Sequence, residues 1–407
     1  MPPILEPPKP IVPKQVGRST LARRVAAILT RLLILVAILI FGSSGWYLAK
    51  RGFGRQWRYR VVEELHKRGV EASVGRLTLD PFRGLVAKNV RIFDYKNREN
   101  TLALISEISL DINYAAFIHH EPFLNALDVR DAQISLPFKT TDEKGDRAVL
   151  TNLRAHVYFP PEQIYVSQAE GIFCGIRISA TGQLIKRENY QPSPALSAEE
   201  WQRRLLIAQR VVNELQKFRF PGTLPSLQIK FSGDVAEIEK AHVEATLRGD
   251  RLQRGSYEMR DLSAAAEWNN QLLNIAHCEW SDGMGSFAGR ANWNVEGSSA
   301  SMQARSSLDL KAFLDAFGLG EPVASIEFQA PPVVEVSGSV NFKVDRFKPD
   351  IIGRLAFGRF TYRKVPFSDL TADFSWDGER TMVRDLRLRH QTGQVRADLF
   401  EAPADFR

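Results

Sequence analysis

The side chains able to do chemistry are few and scattered. The seven histidines are His66, His119, His120, His156, His242, His277 and His390. None has the HxxxH or HxxE spacing that sets two working groups on one helix face. His119 and His120 are adjacent, and neighbouring side chains on a strand point apart, so they make a poor joint metal site. His277-Cys278 falls in an alternating, strand-like stretch and reads as packing. Cys174 and Cys278 lie far apart; they could pair in an oxidising compartment or stay as buried free thiols. The serines of Gly42-Ser-Ser-Gly45 sit inside an apolar run, not on the strand-turn-helix elbow a nucleophile needs. No P-loop or dinucleotide fingerprint occurs. Trp268 and Trp376 could stack on a ligand, but their matched positions in a repeat favour core anchors. The chain therefore reads as no enzyme, with no cofactor, and its function must lie in its larger elements.

The most informative of these is Leu32 to Ala49, LLILVAILIFGSSGWYLA, an uncharged and almost wholly apolar run. As a helix it covers about 27 Å, close to the apolar thickness of a bilayer. Arg31 can snorkel at one end, and Trp46 and Tyr47 suit the interface at the other. A cleaved signal peptide is the rival reading, with small residues at 42–45 for a peptidase. Against it stand the long, proline-containing segment before Arg31 and the length of the run. Cations flank both ends, so the charges do not set orientation.

Residues 1–24 read as a disordered, proline-rich basic tail and 25–49 as the membrane helix. Residues 50–70 read as a juxtamembrane amphipathic helix. There Trp57, Val61 and Leu65 recur every four residues, Gly69 is placed to end the helix, and Arg55, Trp57 and Arg58 are candidates for the membrane interface. The alternative is a helix capping the end of a sheet. Beyond Val74 the period changes from four to two. Ile108, Leu110 and Ile112 alternate with polar residues, as do Leu227, Ile229 and Phe231, the strand signature. Residues 71–195 form a first meander. Residues 196–220 interrupt it with an amphipathic helix whose face carries Trp201, Leu205, Ala208, Val212 and Leu215. A second, shorter helix is expected around Lys311 to Phe317. Residues 221–407 contain repeated β-units at 257–293 and 365–401. Asp261-Leu-Ser-Ala264, Trp268 and Gly285 recur as Asp369-Leu-Thr-Ala372, Trp376 and Gly393, offset by 108 residues without a gap. A repeated β-unit favours an elongated array over one globule. The formal net charge of +7 gathers around the apolar run and goes with no nucleic-acid-binding motif.

Two segments together resemble the AsmA-like proteins, the group that includes TamB-type factors. The first runs through VEASVGRLTLDPFRGLVAKNVRIFD, LALISEISLDIN, YAAFIHHEPF and LDVRDAQISL; the second is the 108-residue repeat ending in RLRHQTGQVRADL. The resemblance rests on the order of anchor, short helix and meander more than on invariant residues. It implies an inner-membrane, single-pass protein with its body in the periplasm and an elongated, curved antiparallel sheet forming a groove with a covering helix. Relatives are similar in fold to chorein-type bridge proteins that move lipids. At 407 residues the chain is short for spanning an envelope. The implied partners are membrane phospholipids and envelope proteins. The implied function is acyl-chain binding that supports phospholipid transport or envelope biogenesis.

An apolar sheet face left uncovered would keep acyl chains out of water at about 0.8 kcal/mol per methylene. Candidates to line such a groove are Ile108, Leu110, Ile112, Ile134, Leu136, Leu227, Ile229, Phe231, Val243 and Leu247. The alternative is that they pack against helix 197–218 or a facing sheet. A second functional reading is a tethered assembly factor for outer-membrane or secreted proteins that pairs client strands at its sheet edge.

Overall fold

The computed structural model describes residues 51–80, 84–93, 98–99, 101–113, 123–135, 149–160, 162–186, 197–295, 298–341 and 348–403, with the single positions 36, 43, 115 and 119. Arg31, Trp46, Tyr47 and Leu136, the tail, and nearly all of the apolar run lie outside these residues. Among the described residues no helix is long and apolar enough to cross a membrane.

The body opens with α1 (Arg55–Lys67). Its four-residue apolar spacing turns Val61 and Leu65 inward, and both are buried. Gly69 ends it as expected, at φ +86°. The Gly69 N–H donates to His66 O at 2.9 Å and the Val70 N–H to Leu65 O at 2.9 Å, the paired closure that a left-handed residue permits.

Seven strands follow as an antiparallel meander: β1 (Ala72–Asp80), β2 (Gly84–Phe93), β3 (Thr101–Ile112), β4 (Leu124–Ser135), β5 (Val149–Tyr158), β6 (Gln163–Phe173) and β7 (Ile176–Ile185). The chain then leaves the sheet for α2 (Ala198–Gln216) and the short β8 (Phe218–Arg219). It returns as β9 (Ser226–Asp234), which pairs with β7 in parallel. The pairing is antiparallel again through β10 (His242–Arg254), β11 (Tyr257–Asn269), β12 (Leu272–Ser281), β13 (Ser286–Asn294) and β14 (Ser299–Ser306). A second excursion holds α3 (Leu310–Ala316) and β15 (Ile326–Phe328). Then come β16 (Val333–Asn341), β17 (Lys348–Phe357), β18 (Phe360–Tyr362), β19 (Val365–Trp376), β20 (Arg380–His390) and β21 (Gly393–Pro403). Because β14 pairs directly with β16, the sheet is continuous across this excursion. The result is one curved sheet that does not close on itself. The outer edge of β1 is partly occupied: the Phe53 N–H donates to Leu77 O at 2.7 Å and Arg58 to Gly75 O at 2.5 Å.

The repeat reaches further than its sequence signature. In β10–β11 Val243 faces Trp268 and Leu247 faces Ala264; in β17–β19 Ile351 faces Trp376 and Leu355 faces Ala372. The short strands follow the same offset, with Phe218 opposite Arg254 and Ile326 opposite Tyr362. The meander β5–β6–β7 is a third occurrence. It carries Asn152-Leu-Arg-Ala155 where the other copies carry Asp261-Leu-Ser-Ala264 and Asp369-Leu-Thr-Ala372. At or beside each of these Asx residues the pairing register slips. Asn152 and Asp261 both adopt φ +52°, a conformation that Asn and Asp tolerate and that a β-bulge uses.

Candidate functional site

Following side chains from strand to strand shows one apolar row crossing the second half of the sheet. Ile178, Leu227, Leu247, Ala264, Cys278, Gly289, Ala304, Val336, Gly353, Phe374 and Val383 face one another in succession on β7, β9–β14, β16, β17, β19 and β20. At roughly 4.8 Å per strand spacing this row is about 48 Å long. A parallel row runs Ala180, Ile229, Ala245, Ala266, Ile275, Ala291, Met302, Gly338, Ile351 and Trp376. A third passes through Gly182, Phe231, Val243, Trp268, Leu273, Trp293, Ala300 and Val340. Most of these side chains are half-buried; Trp293 and Met302 are 45% and 44% exposed. That is the exposure of a sheet face whose side chains are screened in part by their own neighbours. Aromatic rings roof the glycines of this face: a Cβ on Gly353 would come within 2.4 Å of the Phe374 ring, so glycine is required there for the two strands to approach.

The same face continues into the first half with a different fate. Leu85, Leu110, Leu127, Val157, Val166 and Gly182 form one row that leads to Phe231. Its first members are buried in a core that also holds Val61 and Leu65 of α1. The groove candidates therefore divide. Leu227, Ile229, Phe231, Val243 and Leu247 lie on the half-buried face, where Leu247 packs against the cluster that α3 covers. Ile108, Leu110 and Ile112 are buried in one core with Val61 and Leu65 of α1, so they line no open groove. Ile134 is partly buried against the same core.

The opposite face is charged. Arg248, Ser263, Glu279, Ala288, Arg305, Glu335, Arg354, Asp373 and Arg384 face one another in succession. Ion pairs link Arg305 to Glu335 at 3.4 Å and Arg354 to Asp373 at 3.5 Å. A hollow of about 940 Å³ is lined by this ladder together with Gly289, Ala304, Val336, Gly353 and Phe374 of the apolar row.

Helices cover the apolar face locally. In α2, Val212 is buried with Leu205 and Ala208 against Phe173 and Cys174. In α3, Ala312, Phe313 and Ala316 pack on Leu252, Tyr257, Met259, Leu262 and Trp280. Arg254, itself buried, fastens both. It donates to Glu214 of α2 at 2.6 Å and to Ala316 O of α3 at 2.9 Å, with its guanidinium 4.2 Å from the Phe317 ring. Beside it, burial pushes the Tyr257 phenol well above its ordinary value. Trp280 Nε1–H donates to the Tyr257 hydroxyl, which in turn donates to Asp282, both at 3.3 Å.

Cys174 and Cys278 are free thiols, each pushed up by burial. His277 contacts the Ser263 hydroxyl at 3.3 Å. Among the described residues no group of His, Cys, Asp and Glu could hold a metal ion. Of the membrane-interface candidates, Arg55 is exposed. Trp57 packs partly on the first core under the Arg60 guanidinium at 4.5 Å, and Arg58 is committed to the Gly75 carbonyl. Trp57 and Arg58 thus serve the fold first. The chain has no match among family models, curated proteins or solved structures.

Proposed function

We propose that the apolar face of β7–β20 binds lipid acyl chains, and that the protein is a membrane-anchored, AsmA-like factor of the cell envelope supporting phospholipid movement. The observation that carries this reading is the unbroken apolar row from Ile178 to Val383, whose side chains are half-buried; the cluster under α3 reaches it at Leu247 and Cys278. A contiguous apolar surface of that length calls for a partner. Acyl chains fit because the rows hold small and aliphatic side chains with little polar chemistry to impose identity. Headgroups would stay solvated at the margin. The face has two properties a track needs: weak selectivity along its length and no deep trap. The 32–49 run supplies the proposed anchor, with the body in the periplasm.

Adjacent positions on one strand give the test. A photo-crosslinking residue at Met302 faces the apolar side and one at Gln303 the charged side. In cells, the Met302 probe is expected to form phospholipid adducts and the Gln303 probe none. Protein adducts without lipid at Met302 would sink the reading and favour an assembly factor.

A further inference from the structure

We infer that the outward side of α2 rests on an anionic phospholipid surface. The inner side of this 19-residue helix is accounted for by Val212, Leu205 and Ala208 on the sheet. At about 100° per residue, Leu206, Ile207 and Val211 point the other way. They are 56%, 52% and 53% exposed, although each is a strongly apolar side chain. Arg203 and Arg210 lie on the same side and are exposed. The acids sit at the ends: Glu199 and Glu200 open the helix, and no Asp or Glu occurs from 201 to 213. Glu214 is bound by Lys217 at 2.6 Å and Arg254 at 2.6 Å, and these cations hold its carboxyl below the usual range.

Two features select a lipid surface over a protein. Protein interfaces centre on Trp, Tyr and Arg, with Leu and Val under-represented among their strongest contacts; the apolar part of this patch, Leu206, Ile207 and Val211, is aliphatic and has no aromatic anchor. Its central charges are both positive, complementary to acidic headgroups. Aliphatic side chains entering the acyl boundary between arginines that reach headgroups is the arrangement of a shallow interfacial helix. The inference is independent of acyl-chain binding on the sheet, and either can fail alone.

The test uses full-length protein reconstituted in vesicles of phosphatidylcholine, with and without phosphatidylglycerol. A spin label at Ile207→Cys, in a Cys174→Ser, Cys278→Ser background with an unchanged circular dichroism spectrum, reports depth through oxygen and a nickel chelate. In phosphatidylglycerol vesicles the label is expected to gain oxygen contact and lose nickel contact relative to phosphatidylcholine alone. Amide exchange over 198–216 in the unlabelled wild type is expected to slow in the same vesicles. That slowing should disappear in Leu206→Ser, Ile207→Ser, Val211→Ser while the sheet exchanges as before. Equal behaviour in both lipid compositions would overturn the inference. So would a label already shielded in lipid-free amphipol, which would mean that protein covers the patch.

Discussion

The two halves of the sheet carry the same alternation and end in opposite states. Leu85 and Trp293 belong to apolar rows on one face of one sheet, yet Leu85 is 0% exposed and Trp293 is 45% exposed. The difference is what lies above. In the first half α1 drops Val61 and Leu65 onto the face and completes a core. In the second, α2 and α3 cover only patches. Closing a face, not patterning it, separates a core from a half-exposed surface.

The comparison breaks most decisively through stability. Leu85→Ala should cost about 3 kcal/mol, the cavity left by a buried leucine. Met302→Ala should cost less than about 1 kcal/mol, since a half-exposed side chain leaves no cavity. Urea midpoints measure both, and equal losses would mean that the second half is also closed. Next in size, Arg254→Ala should cost about 2 kcal/mol by removing charge-assisted hydrogen bonds to both helices. Amide exchange should then quicken in α2 and α3 together. Acceleration in only one would show that the arginine does not couple them. Gly353→Ala should cost about 1–2 kcal/mol through collision with the Phe374 ring. Phe374→Ala in the same chain should recover part of that loss, and simple additivity would contradict the ring-over-glycine contact.

The smallest effect concerns pH. Asp377 accepts the N–H groups of Glu379 at 2.9 Å and Arg380 at 2.7 Å, and these donors hold its carboxyl below the usual range. A lowered folded-state value stabilises above the usual Asp range and is lost as pH falls through the lowered one. Asp377→Asn, which installs the residue at the equivalent position Asn269, should be slightly less stable at neutral pH, with the gap closing on acidification. A gap that widens in acid would contradict the assignment.

Much of the fold could be read from the sequence because it is written locally. Period two marks the strands, Gly69 stops α1, and Asp-Leu-x-Ala with its tryptophan reveals two copies of the repeat. The third copy escaped because Asn replaces Asp, no tryptophan follows, and the offset changes by one residue. The candidate site was half legible. Leu110 and Ile229 look alike along the chain, and only contacts far apart in sequence send one to the core and leave the other on the face. Nor does alternation along one strand bring Glu279, Arg305, Glu335, Arg354 and Asp373 together, so the hollow that they help to line had no local signal. Arg254 had none either: a lone arginine at a strand end gains its role from two helices that meet there.

The parallel pairing of β7 with β9 has a consequence for how the molecule is made. Elsewhere neighbouring strands are mostly joined by hairpins and can zip soon after they leave the ribosome. Across the parallel pair, Arg177 meets Ser226 only after α2 has been synthesised and swung over. Such distant pairing is slow relative to hairpin closure. The sheet should therefore grow as two separately nucleated sections, with the joint between them the last to form and the first to part under load.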